Sequence, residues 1–505
     1  MKRGLVILLL IMIMVSNLFS YVYAREGDCG YQGGISSGET PNSSVYEYKE
    51  VCFLTGEPVV FTGTLTLKKQ SRNEEMTLTY TYSLNNAQKE ATLNRTMVYT
   101  TVIEEKDNGQ TVEETILDGR ASETVKIGDK SFLLRRYDFT RSELIDHKPA
   151  VDFFAGNVWW KKDYTIGGVT DGNSITVECT GRFYGYEQYW GMTNSAEFNY
   201  VIKNMENKEG QTDNWGGNAT VKISASSTKE FQYFENEPEQ ISFDGGYVQT
   251  QVNNYVMEYT STLPIFDSNG ISTDELVERT GSLKLETFPV QTRLPVPDLT
   301  HLRGHWAEDD VKRLYSLEIL VENDSVFDPH KIMTRAEFTS AFVKASKEVP
   351  VDPALVTRGS TTSRSSKEIT SPFIDVSIEH IYFDNIKEAY ERKLVVGVGE
   401  NYFDPEVPIT FADAVTILMR SLGLENLAPS PEPVTIFKDN DMIPDYARRP
   451  IYAAHRIGLV KGDDLGYVRP LDNIDNARAA AIINRYIDYL RNGIITDYRE
   501  GFVNY

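Results

Sequence analysis

Between about Ser44 and Phe288 polar and apolar residues alternate with a period of two, as in Val59-Val60-Phe61-Thr62-Gly63-Thr64-Leu65-Thr66-Leu67 and Met76-Thr77-Leu78-Thr79-Tyr80-Thr81-Tyr82. Further runs of this kind, at 96–104, 131–139, 174–186, 219–234, 247–263 and 281–288, are separated by Asn, Asp and Gly. Successive side chains of a strand point to opposite faces, so the alternation predicts an all-β, sandwich-like region of one or two modules. Only Ser142 to His147 and Ser272 to Val277 read as short helical turns. Lys, Asn, Gly and Asp crowd together at 204–217, which leaves a split between two modules open there.

From Leu299 to about Leu490 the period changes and one pattern recurs three times. With Trp306, Ile381 and Tyr446 in register, the residues five and eight further on are Val311 and Leu314, Ile386 and Ala389, Ile451 and Ala454. That spacing predicts one buried helical face per unit. The apolar pairs Ile319-Leu320, Leu394-Val395 and Leu459-Val460 then lead into polar loops, closed by Phe327-Asp328-Pro329, Phe403-Asp404-Pro405 and Val468-Arg469-Pro470. Five residues after each proline stands Thr334, Thr410 or Asp475, an N-cap residue by type. Thr334-Arg335-Ala336-Glu337 is a full capping box that leaves Arg335 to face outward, whereas Asp475 is followed by Arg478 and acts only as a simple cap. The second helices bury Ala341-Phe342, Ile417-Leu418 and Ile482-Ile483, with Lys344, Arg420 and Arg485 just beyond.

The triplet resembles three S-layer homology (SLH) domains. That family's pattern of Phe-x-Asp, His-Trp, a Gly-containing loop ending in Phe-x-Pro, and Thr-Arg-Ala-Glu is carried in the first unit by His305-Trp306, Phe327-Asp328-Pro329 and Thr334 to Glu337. The second unit carries Phe373-Ile374-Asp375, Gly397-Val398-Gly399 and Phe403-Asp404-Pro405; the third keeps Phe437-Lys438-Asp439, Gly458-Leu459-Val460 and the helix from Ala479 to Arg485. The resemblance implies an all-α pseudo-threefold spindle that attaches non-covalently to secondary cell-wall polymer on peptidoglycan, often with pyruvylated amino sugars. It places ligand sites in grooves between units, with the Arg of Thr-Arg-Ala-Glu on the anionic sugar. A guanidinium suits that role because it meets a carboxylate with two parallel hydrogen bonds. The candidate wall-polymer contacts are therefore Arg335, Trp306, Asp375, Asp439, Gly397, Lys344 and Arg420. Phe411 and Asn476 replace the arginine in units two and three, and Leu299-Thr300-His301 replaces Phe-x-Asp in unit one, which predicts unequal grooves. Trp306 also suits a core position, as Ile381 and Tyr446 do more readily, and Asp375 and Asp439 equally suit capping of the first helices.

At the other end, Met1 to Ala24 open with Lys2-Arg3, run apolar from Leu5 to Val15 and finish Val22-Tyr23-Ala24, the form of a secretory signal peptide. The order expected is a signal peptide at 1–24, a β-rich region at 25–288, a Pro-rich linker at 289–298, and repeats at 299–348, 373–424 and 437–490. A Ser/Thr-rich linker at 349–372 and a tail at 491–505 complete it. No later segment reaches membrane length, so an exported protein of the cell wall or S-layer, with no integral membrane segment after signal cleavage, is expected.

A formal charge of -22 argues against nucleic acid as a partner. It also makes the local cations near Arg335 matter for any anionic wall polymer. Divalent ions bridging the two are compatible with this, although no Asp-rich stretch has calcium-loop spacing, and nothing indicates a cofactor. Other S-layer subunits are further candidate partners. Of the three cysteines, Cys29, Cys52 and Cys179, the pair Cys29 and Cys52 is nearest in sequence and a candidate disulfide.

Chemistry in the β-rich region finds little support. Gly34-Ile35-Ser36-Ser37-Gly38 fits a nucleophile elbow, but that elbow joins a strand to a helix and this one lies in a Gly/Ser-rich tail. His147 is the region's single histidine, and Glu178 and Glu187 have no motif around them. Phe183, Tyr184, Tyr186, Tyr189 and Trp190, with Trp159-Trp160, could stack sugar rings, but alternate aromatics more often fill a core. The preferred reading is a wall-anchored surface protein that presents a non-catalytic β region. An SLH-anchored carbohydrate-active enzyme, or a glycan-binding or adhesion protein, is the alternative.

Overall fold

The computed structural model describes residues 31–497 apart from 38–43, 73–74, 107–108, 168–171, 209–210, 236–244, 321–326, 348–369 and 432. The signal-peptide stretch, Cys29 and most of the 349–372 linker lie outside the described residues.

The alternating stretch folds as one antiparallel meander in which each strand pairs with its neighbours in sequence. Its strands are β1 (Ile35–Ser36), β2 (Val45–Cys52), β3 (Val59–Arg72), β4 (Glu75–Asn86), β5 (Ala91–Lys106), β6 (Gln110–Ile127) and β7 (Lys130–Lys148). They continue as β8 (Val151–Ile166), β9 (Ser174–Gln188), β10 (Gly191–Lys208), β11 (Gln211–Phe234), β12 (Gly246–Phe266), β13 (Ser272–Leu285) and β14 (Val290–Pro295), the last paired on β12. Twist accumulates across so many long strands and curls the sheet until its ends meet. There Lys49 Nζ on β2 donates to Lys284 O on β13 at 2.9 Å. A single core from Ile35 to Leu285 fills the concave side. The sandwich-like expectation is thereby refined to one barrel-like sheet, because alternation reports which face is buried and not how a sheet closes.

Three local expectations are corrected. The 204–217 stretch is no module boundary, since β10 and β11 pair without interruption from Gly191 with Thr228 to Lys208 with Gln211. Ser142–His147 lies within β7 and Ser272–Val277 within β13, where tertiary pairing overrides weak local helical preference. Nor is 289–298 a free spacer. Its middle is β14, an edge strand, the place where flanking prolines are tolerated.

The interior holds a closed set of charges. Arg95 grips Glu50 with bonds of 2.7 and 2.8 Å and Glu123 with bonds of 2.9 and 3.0 Å, and Lys162 reaches Glu123 at 2.7 Å. Burying a charge is costly unless it is paired and hydrogen-bonded, and here two cations meet two carboxylates. Residues 31–36 thread into the same interior. Gln32 donates to Tyr99 Oη and Tyr137 Oη at 3.1 Å each, and its carbonyl accepts from Tyr200 Oη at 3.1 Å.

The C-terminal part holds three units of two successive helices, α1 (Glu308–Ser316) and α2 (Arg335–Ser346), α3 (Phe383–Glu391) and α4 (Phe411–Leu422), and α5 (Asp445–Arg456) and α6 (Asn476–Asp488), and the helices that pack belong to different units: α1 on α6, α2 on α3 and α4 on α5. A π-helical turn, Tyr489–Gly493, and α7 (Ile494–Asp497) follow. The units join through their backbones in a ring. Met333 N donates to Ile474 O, Ile474 N to Ile409 O, and Ile409 N to Met333 O, at 3.0 to 3.1 Å. One layer further, Arg335 N, Phe411 N and Asn476 N each donate at 2.9 Å to the loop of the next unit, at Val407 O, Asp472 O and Lys331 O. The first amides of an α-helix have no partner within it, so each unit satisfies the helix start of another. The third amides are taken by the caps Thr334, Thr410 and Asp475, as their residue types predict.

The two parts share a core. Val151, Tyr186 and Trp190 of the sheet belong to the hydrophobic cluster of the helices. Trp190 Nε1 donates to Ala345 O at 2.9 Å, Gln188 Nε2 to Leu490 O at 2.7 Å, Ala150 N to Ser421 O at 3.0 Å, and Arg392 Nη2 to Pro149 O at 2.9 Å. Phe231 on β11 is clamped between Arg313 and Arg491, whose guanidinium carbons lie 4.6 and 4.7 Å from its ring centre while both arginines bond Asp488. Residues 491–497, expected as tail, are thus part of this junction.

Candidate ligand grooves at the helix N-termini

The ring brings the starts of α2, α4 and α6 together around one axis, and three side-chain positions recur there. These are the first residue of each second helix, the third residue of the next one round, and the aromatic or aliphatic residue at the start of a first helix, Trp306, Ile381 or Tyr446. In one groove Arg335, Asp413 and Tyr446 meet. Tyr446 Oη donates to Asp413 Oδ1 at 2.9 Å, and Arg335 Nη1 lies 3.9 Å from the same oxygen. Arg335 also donates from Nη2 to Val396 O at 3.0 Å and lies over the Phe403 ring at 5.0 Å. Burial draws its pKa down and Asp413 opposes that, so the guanidinium is largely desolvated and already engaged with a carboxylate. The Tyr446 hydroxyl is pushed up to about 12 by burial and by Asp413, and stays a donor.

In the second groove Phe411 stands where Arg335 would be, and Arg478 lies over its ring at 4.5 Å. The relation of Tyr446 to Asp413 assigns Trp306 to this groove, since α1 packs on α6 through Asn484 Nδ2, which donates to Asp310 O at 2.8 Å. In the third, Asn476 is buried and donates to Asp328 O at 2.9 Å, while Glu337 is occupied by Lys331 at 2.6 Å and by Thr334 N at 2.8 Å.

The three residues at the starts of the first helices are exposed: Trp306 by 64 %, Ile381 by 74 % and Tyr446 by 52 %. The expectation that Ile381 and Tyr446 are core is corrected. Ile381 lies just ahead of α3 and Tyr446 in the first turn of α5, both turned away from the buried face that carries Phe383 and Ile386 in α3 and Ala447 and Ile451 in α5. Asp375 and Asp439 cap no helix. Asp375 accepts from Phe403 N and Asp404 N at 2.9 and 2.7 Å, and Asp439 from Val468 N and Arg469 N at 3.0 and 2.7 Å, so each carboxylate folds its own loop. In unit one His301 Nε2, 3.0 Å from Phe327 O, takes that place. Gly397 serves close approach, since an added Cβ would lie 2.6 Å from Tyr402 O. Lys344 and Arg420 sit in the C-terminal turns of α2 and α4, and the Arg420 charge still helps to draw the Arg335 pKa down. Burial draws the Lys344 pKa down against the pull of Glu318, and Arg420 Nε lies 3.9 Å from Glu425. Arg478 is the groove residue that sequence reasoning passed over. The signal was its place in Asp475-x-x-Arg478, where the other units carry an acid.

In the β region the aromatics are spent on packing. Trp160 is in the sheet's core, Trp190 and Tyr186 are in the junction, and Trp159 Nε1 donates to Glu178 at 2.9 Å. His147 is not isolated. Its Nε2 is 2.9 Å from Thr111 Oγ1 and its Nδ1 is 2.9 Å from Asp152 Oδ1, the order of a nucleophile, base and acid. Thr111, however, is buried within a strand ladder opposite Ile145, so its hydroxyl faces no turn of exposed amides that could hold an oxyanion. Ser36 likewise lies buried in β1, paired with Tyr48, and forms no elbow. Among the described residues Cys52 and Cys179 are free thiols; the Cys29–Cys52 pairing falls outside them. Among the described residues, no helix is long and apolar enough to cross a membrane, and no three His, Cys, Asp or Glu side chains come together as metal ligands.

Comparison with known proteins bears on the helical part. An endoglucanase of a Bacillus species (strain KSM-635) is 34 % identical over 137 residues, 27 % of this chain and 14 % of the relative. An amylopullulanase of Thermoanaerobacterium thermosulfurigenes is 29 % identical over 189 residues, 36 % of this chain and 9 % of the relative. A cell surface protein of Thermoanaerobacter kivui is 30 % identical over 123 residues, 24 % and 16 % of the two chains. The chain thus spans under a fifth of these relatives' length. Residues 298–339 and 372–415, which run from ahead of α1 into α2 and from ahead of α3 into α4, match the model of the S-layer homology domain, so the chain carries S-layer homology domains there.

Proposed function

We propose that this is a cell-surface protein held on the cell wall by three S-layer homology units, the third being that of α5 and α6, and that its partner is an anionic secondary wall polysaccharide bound without covalent linkage. The observation that carries this reading is the backbone ring, in which the second unit satisfies the helix start of the first, the third that of the second and the first that of the third, so that grooves form between units. The family match at residues 298–339 and 372–415 supports wall attachment, and relatives named as surface-layer and cell surface proteins support the location. The β region is proposed as a presented, non-catalytic domain. Its candidate aromatics are committed to packing, and its single His-centred relay ends on a hydroxyl buried in a ladder. The enzymes among the relatives keep the alternative of a carbohydrate-active β region in view.

The test is cosedimentation of the full chain with purified wall sacculi, before and after hydrofluoric acid strips the secondary polymer. Binding lost on stripping is expected, and equal binding to bare peptidoglycan refutes the reading. Release of reducing sugar from wall polymer or plant glucans by the same preparation, abolished in His147→Ala or Glu187→Gln, would establish the enzymatic alternative.

A further inference from the structure

The three grooves differ in charge, and the difference points away from the residue that sequence alone selects. In the Arg335 groove the cation lies 3.9 Å from Asp413, donates to Val396 O and has a buried Nε without an acceptor. An incoming anion there meets a carboxylate that Tyr446 already holds at 2.9 Å, and must compete with it. Its Coulomb gain is correspondingly reduced, because Asp413 offsets the Arg335 charge, while Arg420 and Asp404 act on Arg335 with opposite signs. The third groove offers a buried Asn476 and Glu337, which already holds Lys331 at 2.6 Å.

The Arg478 groove is different. Among the described residues no carboxylate lies within ion-pair distance of the Arg478 guanidinium, which lies over the face of Phe411 at 4.5 Å. It is half-buried: desolvation pulls its pKa down, and the more distant Asp472 and Asp475 only partly oppose this. Stacking on a ring fixes the plane of the guanidinium while leaving its edge of N–H donors open. Trp306, which the relation of Tyr446 to Asp413 assigns to this groove, is exposed and supplies a second aromatic surface ahead of α1. A fixed guanidinium edge beside exposed aromatic carbon is the chemistry that recognises a sugar ring bearing a negative group.

We infer that Arg478, stacked on Phe411 and flanked by Trp306, is the principal anion contact for the wall saccharide, and that Arg335 is held in reserve by Asp413. The inference rests on the wall-binding reading above. In effect the cation absent from position 411 is supplied from the next unit, two residues further along its own helix.

The experiment is binding of the full chain to untreated sacculi, measured as a dissociation constant for wild type, Arg478→Gln, Arg335→Gln, Phe411→Leu and Asp413→Asn. A hydrogen bond to a charged partner is worth enough that Arg478→Gln should weaken binding roughly 10- to 100-fold. Arg335→Gln should change it less than about threefold, because Asp413 already offsets that charge. Phe411→Leu should weaken binding in the same direction as Arg478→Gln, and Asp413→Asn should tighten it by releasing Arg335. Thermal unfolding of each variant separates lost contacts from lost fold, and Arg478→Lys provides a second substitution that keeps the charge without the planar fork. A larger loss at Arg335 than at Arg478, or equal losses at both, overturns the inference while leaving wall binding intact. Absence of wild-type binding overturns the wall-binding reading itself, and the inference with it.

Discussion

Trp190 joins the sheet to the helices, and its truncation should destabilise both together. Its side chain is wholly buried, it lies in the helical core cluster although it belongs to the β9–β10 turn, and its indole N–H is given to Ala345 O at 2.9 Å. Replacing a buried tryptophan by alanine costs about 3–5 kcal/mol through lost burial and the remaining cavity. Leaving the Ala345 carbonyl without its donor adds about 1 kcal/mol. Trp190→Phe isolates the smaller part, because it keeps a ring of aromatic carbon and removes only the N–H. The assay is urea unfolding of the full chain followed by two signals, helical dichroism at 222 nm and tyrosine fluorescence, which is weighted towards the sheet. One coincident transition in wild type, moved to lower urea in both signals for Trp190→Ala and by a smaller step for Trp190→Phe, is expected. Two separate transitions in wild type, or a shift confined to one signal, would refute the shared core and restore the view of two parts linked by a spacer.

Other outcomes follow from single contacts. Burial alone would raise the carboxyl of Glu123, but Arg95 and Lys162 hold it down at about 2, below its ordinary 4.5; its contribution is therefore present above pH 4.5 and fades as pH falls towards 2. Glu123→Gln should flatten the acid slope of stability in that window, and an unchanged slope counts against the pairing. Asp439→Ala frees the amides of Val468 and Arg469 and should cost about 2–4 kcal/mol of unfolding free energy, with the wall affinity of the folded fraction unchanged. Affinity lost at unaltered stability would instead make Asp439 a ligand contact. Gly33→Ala combines a left-handed φ of 79° with a Cβ 1.9 Å from Tyr200 Oη, whereas Gly128→Ala has a φ of 55° and open space. The second should cost only the left-handed penalty of about 1–2 kcal/mol and the first clearly more, as read by thermal melts; equal costs would show that residues 31–36 do not occupy the interior.

How much of this was legible beforehand depended on the range of the interactions. The caps Thr334, Thr410 and Asp475 were legible because an N-cap acts within three residues of itself. The strands were legible because period two survives in any half-buried sheet. Closure was not, since Lys49 and Lys284 meet across 235 residues and neither strand carries a mark of the other. The buried Arg95, Glu50, Glu123 and Lys162 escaped notice for a related reason: an isolated charge in an alternating strand looks like its solvent face, and only the register shows that four of them converge. Arg335 was legible as an outward-facing arginine, but its partner Asp413 comes from another repeat, so its commitment was not. Arg478 was hidden by the very comparison that exposed the repeats, because aligning units by type rewards what recurs and discards what departs.

The grooves and the junction stand at opposite ends of the same helices. Arg335 opens α2 and Ala345 is near its close, Phe411 opens α4 and Ser421 is near its close, and α6 runs from Asn476 to the turn whose Leu490 carbonyl accepts from Gln188. At 1.5 Å per residue a helix of twelve residues separates the two ends by about 18 Å. A pull on ligand in the grooves is therefore carried along three helix axes into the Trp190, Gln188 and Ala150 contacts, with no flexible linker in the path. That arrangement suits a protein whose sheet must be held at fixed height and orientation over a surface. It also explains why 289–298 is spent on a paired strand: β14 fixes the chain to β12 immediately before the first helical unit begins.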